Sequence, residues 1–80
     1  MNRDETIASI VAIVSRVIED KGDKPVEISA NTVFLGGQLP IDSLDLATIV
    51  VELEAVTGHD PFKDGFIEFR TVDELAALYS

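Results

Sequence analysis

The stretch that most constrains the fold is residues 39 to 56, LPIDSLDLATIVVELEAV. Leu46, Ile49, Val50, Leu53 and Val56 recur at spacings of three and four, the stripe of an amphipathic helix. Asp42 suits the N-cap, because its carboxylate can accept the unpaired N–H groups of a first helical turn. Ser43 and Asp45 then fall in that turn, where the positive end of the helix dipole favours negative groups. Asp45, Thr48 and Glu52 lie opposite the stripe, with Ala47 and Glu54 on its flanks. A small hydroxyl is therefore expected to sit exposed at the mouth of an acidic helix. The helix should stop after Val56 or Thr57 at Gly58, and Pro61 bars any continuation.

One apolar stripe needs partners, and the rest of the chain supplies them. Residues 3 to 20 read as a first helix, with Asn2 and Glu5 spaced as a capping box. Its buried face is Ile7, Ile10, Val11, Val14, Val17 and Ile18, widened by Ala8, Ala12 and Ile13. Gly22 suits the left-handed position after its C-cap. From Asp23 to Ile41 no regular period is visible, and Pro25, Gly36, Gly37 and Pro40 punctuate the segment. A connection this long is either functional or anchored. Val26, Ile28, Val33, Phe34, Leu35, Leu39 and Ile41 favour a loop laid across the helices, with one helical turn near Asn31 to Leu35. A short strand at Val26 to Ile28 is the lesser alternative.

After the central helix, FKDGFIEF (residues 62 to 69) permits only a brief third helix because Gly65 interrupts it. Its phenylalanines, with Tyr79, are read as core closure rather than as a cofactor-stacking site. Thr71 to Glu74 forms a capping box, and Leu75, Ala76, Leu78 and Tyr79 give the last helix its apolar face. The expected fold is all-α: a four-helix bundle of three main helices and one short one, with a long first loop. Residues 1–80 form one domain, without an internal repeat.

Eighty residues allow one modest core, and an apolar content of 46% is ample for it. Cysteine is absent, which excludes disulfides and thiolate metal sites. The amino terminus lacks the basic cluster and uninterrupted apolar run of a signal peptide. No segment reaches the roughly 20 apolar residues of a membrane span. These features point to a cytoplasmic, monomeric protein. The net charge is −9, from 15 acidic and 6 basic side chains. That opposes binding to nucleic acid or to an anionic membrane. No Lys or Arg lies between Lys24 and Lys63, whereas Glu27, Asp42, Asp45, Glu52, Glu54 and Asp60 do. The central helix should therefore project a negative field that steers basic partners.

Catalytic chemistry finds little support. Serine needs an adjacent base to act as a nucleophile. The one histidine, His59, lies at the far end of the same helix as Ser43, on the order of 24 Å away at 1.5 Å per residue. Asp42 and Asp45 resemble a carboxylate pair, but an exposed helix start should leave them ordinary pKa values. They do not form a calcium loop, since the alternating ligands, central Gly and terminal Glu are missing. Gly36-Gly37 has no following Lys-Ser/Thr and cradles no phosphate. Ser43 is better suited as a substrate of another enzyme, because a helix N-terminus tolerates a phosphodiester.

Asp42-Ser43-Leu44, continued by Asp45-Leu46 at a helix start, resembles the modification site of acyl carrier proteins and peptidyl carrier domains. The likeness extends over nearly the whole chain. It implies a 4′-phosphopantetheine arm on Ser43, transferred from coenzyme A by a phosphopantetheinyl transferase and holding acyl or aminoacyl groups as thioesters. It further implies a docking face on the second helix: an apolar patch of Leu44, Ala47 and Val51 ringed by Asp42, Asp45 and Glu54. The partners would be the transferase, a loading ligase and downstream acyl-transfer enzymes.

The chain departs from the fatty-acid-synthesis type. Thr48 and Ala55 stand where acidic residues are usual. The approach through Gly36-Gly37-Gln38 and Leu39-Pro40-Ile41 is longer than the compact form, and the tail from Gly58 differs. A stand-alone carrier for a dedicated biosynthetic pathway is therefore expected, Met1 and the full helical set favouring a free protein. The competing reading is a small acidic helical interaction module without covalent cargo, in which Ser43 has no role.

Overall fold

A computed structural model describes residues 2–37 and 39–79. Met1 and Gln38, on which two of the expectations above touch, lie outside the described residues. Three helices organise the chain: α1 (Arg3–Asp20), α2 (Ser43–Thr57) and α3 (Val72–Tyr79). α1 packs against both of the others. Each helix starts where a local side chain closes it. Asn2 Oδ1 accepts from Glu5 N at 2.8 Å while Glu5 Oε1 accepts from Asn2 N at 3.2 Å. Thr71 and Glu74 make the same reciprocal pair before α3, at 3.1 Å each way. These bonds occupy N–H groups that no helical carbonyl can reach.

The ends are equally local. Gly22 adopts φ +85° after the C-cap Lys21. Asp23 N then donates to Ile18 O and Gly22 N to Glu19 O, the paired bonds of a Schellman motif. Gly58 closes α2 in the left-handed region, φ +75°.

The core is built from Ile10, Ile13, Val14, Val17 and Ile18 of α1, Ile49 and Leu53 of α2, and Val72, Leu75, Ala76 and Tyr79 of α3. Ile13 is deeper than expected and Val11 only half-buried, because α1 turns one broad face to two neighbours. Val56 is 54% exposed and leaves the predicted stripe. α2 is apolar on several sides, so its buried face narrows to Ile49 and Leu53, with Leu46 and Val50 half-buried.

The long loop lies across the helices, as its apolar residues predict. Phe34 and Leu39 are buried in the core, and Val26, Ile28 and Ile41 pack against it. The Phe34 ring meets Phe69 edge-on, with centroids 5.6 Å apart. Val33 pairs with Thr71 in an isolated antiparallel bridge, where Phe34 N donates to Arg70 O at 2.9 Å and Val72 N to Thr32 O at 3.0 Å. Ser29 to Thr32 forms a turn, not the helical turn expected at Asn31 to Leu35, and Val26 to Ile28 forms no strand. Leu35 is not an anchor, being 42% exposed.

The brief helix expected within residues 62 to 69 does not form. Lys63 N bonds Asp60 O and Gly65 N bonds Phe62 O, giving turns only. Gly65 at φ +137° lies outside helical space and ends them. Among the described residues the all-α bundle thus has three helices, with turns in place of the fourth. No helix among the described residues is long and apolar enough to cross a membrane.

Candidate functional site

Ser43 is the first residue of α2 and is exposed. Among the described residues its hydroxyl has no hydrogen-bond partner. Asp42 Oδ1 accepts from Asp45 N at 2.9 Å, and Asp45 Oδ2 accepts from Asp42 N at 3.1 Å. The capping box holds the backbone on both sides of Ser43 and leaves its Oγ free, so the cap and the reactive hydroxyl belong to different residues.

Asp45 is not the freely solvated acid that its place on an exposed helix implies. Lys21 Nζ, at the end of α1, donates to Asp45 Oδ2 at 2.7 Å and to Pro40 O at 2.6 Å. The lysine bond, reinforced by the Asp42 N–H, holds the Asp45 carboxyl below its ordinary range. In turn the Asp45 bond raises Lys21. Both groups are therefore charged at neutral pH, and the end of the long loop is fastened to the start of α2. Arg16 pairs similarly with Glu52. The central helix keeps its acids, but α1 neutralises two of them, so the negative field is weaker than the charge order predicts.

The remaining expected positions lie outward. Leu44 is 79% exposed and Val51 64%, and Asp42, Ala47 and Glu54 are also exposed. Leu44, Ala47 and Val51 thus form an apolar line on the surface of α2, separate from its core face. Thr48 lies exposed beside them, its Oγ1 donating to Leu44 O at 3.2 Å. His59 follows the C-cap at the other end of the helix, remote from Ser43. The described residues contain no cluster of three or more His, Cys, Asp or Glu suited to a metal ion.

A groove of about 460 Å³ opens beside Ser43. Leu35, Leu46, Val50, Val51, Phe62 and Phe66 form most of its wall, and among the described residues Ser43 is its one polar lining residue. Sequence reasoning placed Phe66 in the core, yet it is 76% exposed. It stacks on Phe62 with centroids 5.7 Å apart and planes 16° from parallel. Phe34, Phe69 and Tyr79 do close the core, whereas Phe62 and Phe66 face the groove. The signal available in the sequence was the excess of apolar residues on α2: Leu44 and Val51 exceed what one buried stripe needs.

The site thus joins an unpartnered serine hydroxyl at a helix start to an apolar groove. The family profile described as the phosphopantetheine attachment site matches residues 8–79. The solution structure of MacpD, an acyl carrier protein from Pseudomonas fluorescens involved in mupirocin biosynthesis, superposes with a TM-score of 0.83 at 34% identity. That match covers 96% of this chain and 69% of MacpD. No curated protein matches the chain significantly.

The chain belongs to the phosphopantetheine-binding family of carrier proteins. It is a carrier, not a catalyst, and its cofactor is a covalent 4′-phosphopantetheine. The arm supplies a terminal thiol that holds acyl groups as thioesters, which is how a chain without cysteine performs thiol chemistry. The residues fit that group: the Ser43 hydroxyl is accessible and free, and the groove offers apolar surface next to it. Membership also disfavours the interaction module without cargo.

Proposed function

We propose that Ser43 is the attachment residue and that the protein carries acyl intermediates for a dedicated biosynthetic pathway. The observation that carries this reading is the free Ser43 hydroxyl at the first position of α2, at the mouth of the apolar groove. Ser43 Oγ becomes the bridging oxygen of the new phosphodiester, giving its proton to the transferase as adenosine 3′,5′-bisphosphate leaves coenzyme A. The capping box keeps the helix start rigid during that transfer. MacpD serves mupirocin biosynthesis, and the likeness to it supports a dedicated pathway over bulk fatty-acid synthesis.

The docking face is Leu44, Ala47 and Val51 with Asp42, Asp45 and Glu54 around them. Exposure of the apolar line supports the first three, and the two uncompensated acids, Asp42 and Glu54, give the face its charge. Asp45 joins the face only by sharing its carboxylate with Lys21. Partners reading this face are a phosphopantetheinyl transferase, a loading ligase and downstream acyl-transfer enzymes, acting on a cytoplasmic monomer of one domain. Intact mass after incubation with coenzyme A and a promiscuous transferase tests the assignment. The native protein should gain one phosphopantetheine and Ser43→Ala none. Modification of Ser43→Ala, or no gain on a folded native protein, would overturn it.

A further inference from the structure

The arm brings a phosphodiester, a permanent negative charge, to a helix start that already carries Asp42 and Asp45. Lys21 is committed to Asp45 and to the Pro40 carbonyl, so it is not free to balance that charge. Arg3 is held by Asp73 and Arg16 by Glu52. Lys63 lies with His59 and Asp60 beyond the other end of α2. Arg70 differs from these. Among the described residues its side chain makes no ion pair and no hydrogen bond, and it borders a small cleft with Phe34, Leu35, Leu46 and Phe69.

That cleft shares Leu35, Leu46 and Phe69 with the groove at Ser43, and among the described residues Arg70 is the one charged residue lining either. Leu46 lies one turn after Ser43, about 4.5 Å along the axis, so the two openings meet at the first turn of α2. The backbone under Arg70 is fixed: its carbonyl accepts from Phe34 N, the bridge to Val33 follows at Thr71, and Phe69 and Val72 on either side are buried. The guanidinium is thus a flexible cation on a rigid mount. Its planar fork of donors suits two oxygens of a phosphodiester better than a point charge does.

We propose that Arg70 is a positioning residue that binds the phosphodiester of the arm on Ser43 and directs the arm over the groove. This rests on Ser43 being the attachment residue. Arg70 balances the third negative charge at the helix start, and among the described cations it is the one that lines the cleft joined to the groove at Ser43. The contact limits the arm's swing at its root without touching the thiol or the cargo.

The test uses the native protein before and after modification, without cargo, together with Arg70→Gln and Arg70→Lys. Intact mass reports modification. Proton–nitrogen NMR reports the Arg70 Nε–H group, and phosphorus NMR reports the phosphodiester. Modification should move the Arg70 Nε–H resonance and slow its exchange with solvent, leaving Arg3 and Arg16 unchanged. The phosphorus resonance should differ between native and Arg70→Gln, with Arg70→Lys in between, and salt should move the native signal toward that of Arg70→Gln. If mass is gained but the Arg70 resonance does not move, or the phosphorus signal is the same in native and Arg70→Gln, the role of Arg70 is refuted while Ser43 stands. If no mass is gained, the attachment reading fails and Arg70 fails with it.

Discussion

Two leucines on one helix allow a sharp test of how α2 is oriented. Leu53 is fully buried and Leu44 is 79% exposed, so the same change to alanine should have opposite consequences. Leu→Ala removes three carbons, a transfer loss of about 2.4 kcal/mol at 0.8 per carbon when the site is dry. At Leu53 a cavity adds to this, for a total of about 3 to 4 kcal/mol. An 80-residue domain has roughly 4 to 12 kcal/mol of stability. Leu53→Ala should therefore lower Tm by roughly 12 to 32 °C. At Leu44 only about a fifth of the transfer is at stake, about 0.5 kcal/mol, and the better helix propensity of alanine offsets part of it. Its Tm should stay within about 3 °C of native.

The functional effects should run the other way. Below its own Tm, Leu53→Ala should be modified by the transferase with kcat/KM within about twofold of native, because its outer face is unchanged. Leu44→Ala should lose roughly 5- to 10-fold, the size expected for truncating an apolar contact worth more than 1 kcal/mol at an interface. Thermal melts followed by circular dichroism and modification rates followed by intact mass give both numbers. A melting loss at Leu44 equal to that at Leu53 would refute the orientation of α2. An unchanged modification rate for Leu44→Ala would remove it from the docking face.

Two further predictions concern other parts of the site and core. Tyr79 is buried, and its hydroxyl donates to Val50 O at 3.4 Å. Burial first, then the negative charges of Asp60 and Glu54, push its pKa up to about 12. A folded value above the unfolded value of about 10 means that the stabilisation is complete below pH 10 and is lost as pH rises through about 12. As the only tyrosine in a chain without tryptophan, it can be titrated by its phenolate absorbance; a midpoint near 10 in the folded protein would refute the assigned burial. For the cap, Asp42→Ala should lower stability by about 1 kcal/mol and Tm by about 4 to 8 °C, whereas Asp42→Asn should keep both near native. Equal melting losses in the two variants would show that charge, not the hydrogen bond to Asp45 N, holds the helix start.

The helix boundaries were legible because their causes are local. Asn2 with Glu5, Asp42 with Asp45, and Thr71 with Glu74 are each three residues apart, within reach of one helical turn. Gly22 and Gly58 stop helices by their own backbone freedom. The exposed serine was legible for the same reason, since its place depends only on the cap beside it. The short fourth helix was misread because FKDGFIEF offers apolar residues at helical spacing, while Gly65 takes a conformation that no helix allows. The aromatic cluster was misread because all its members are equally apolar, and composition does not say which ring a fold turns outward.

By itself, then, the sequence determined three helices, their caps, an acidic surface and a serine at the head of the second helix. The tertiary structure alone decided that Lys21 and Arg16 neutralise Asp45 and Glu52, that Phe62 and Phe66 wall a groove next to Ser43, and that Arg70 comes to the same end of α2. Short-range hydrogen bonds cost little loop closure and can be read from spacing. Contacts across 24 or more residues, such as Lys21 with Asp45 or Phe34 with Phe69, depend on how the long loop packs. That packing is a property of the whole core.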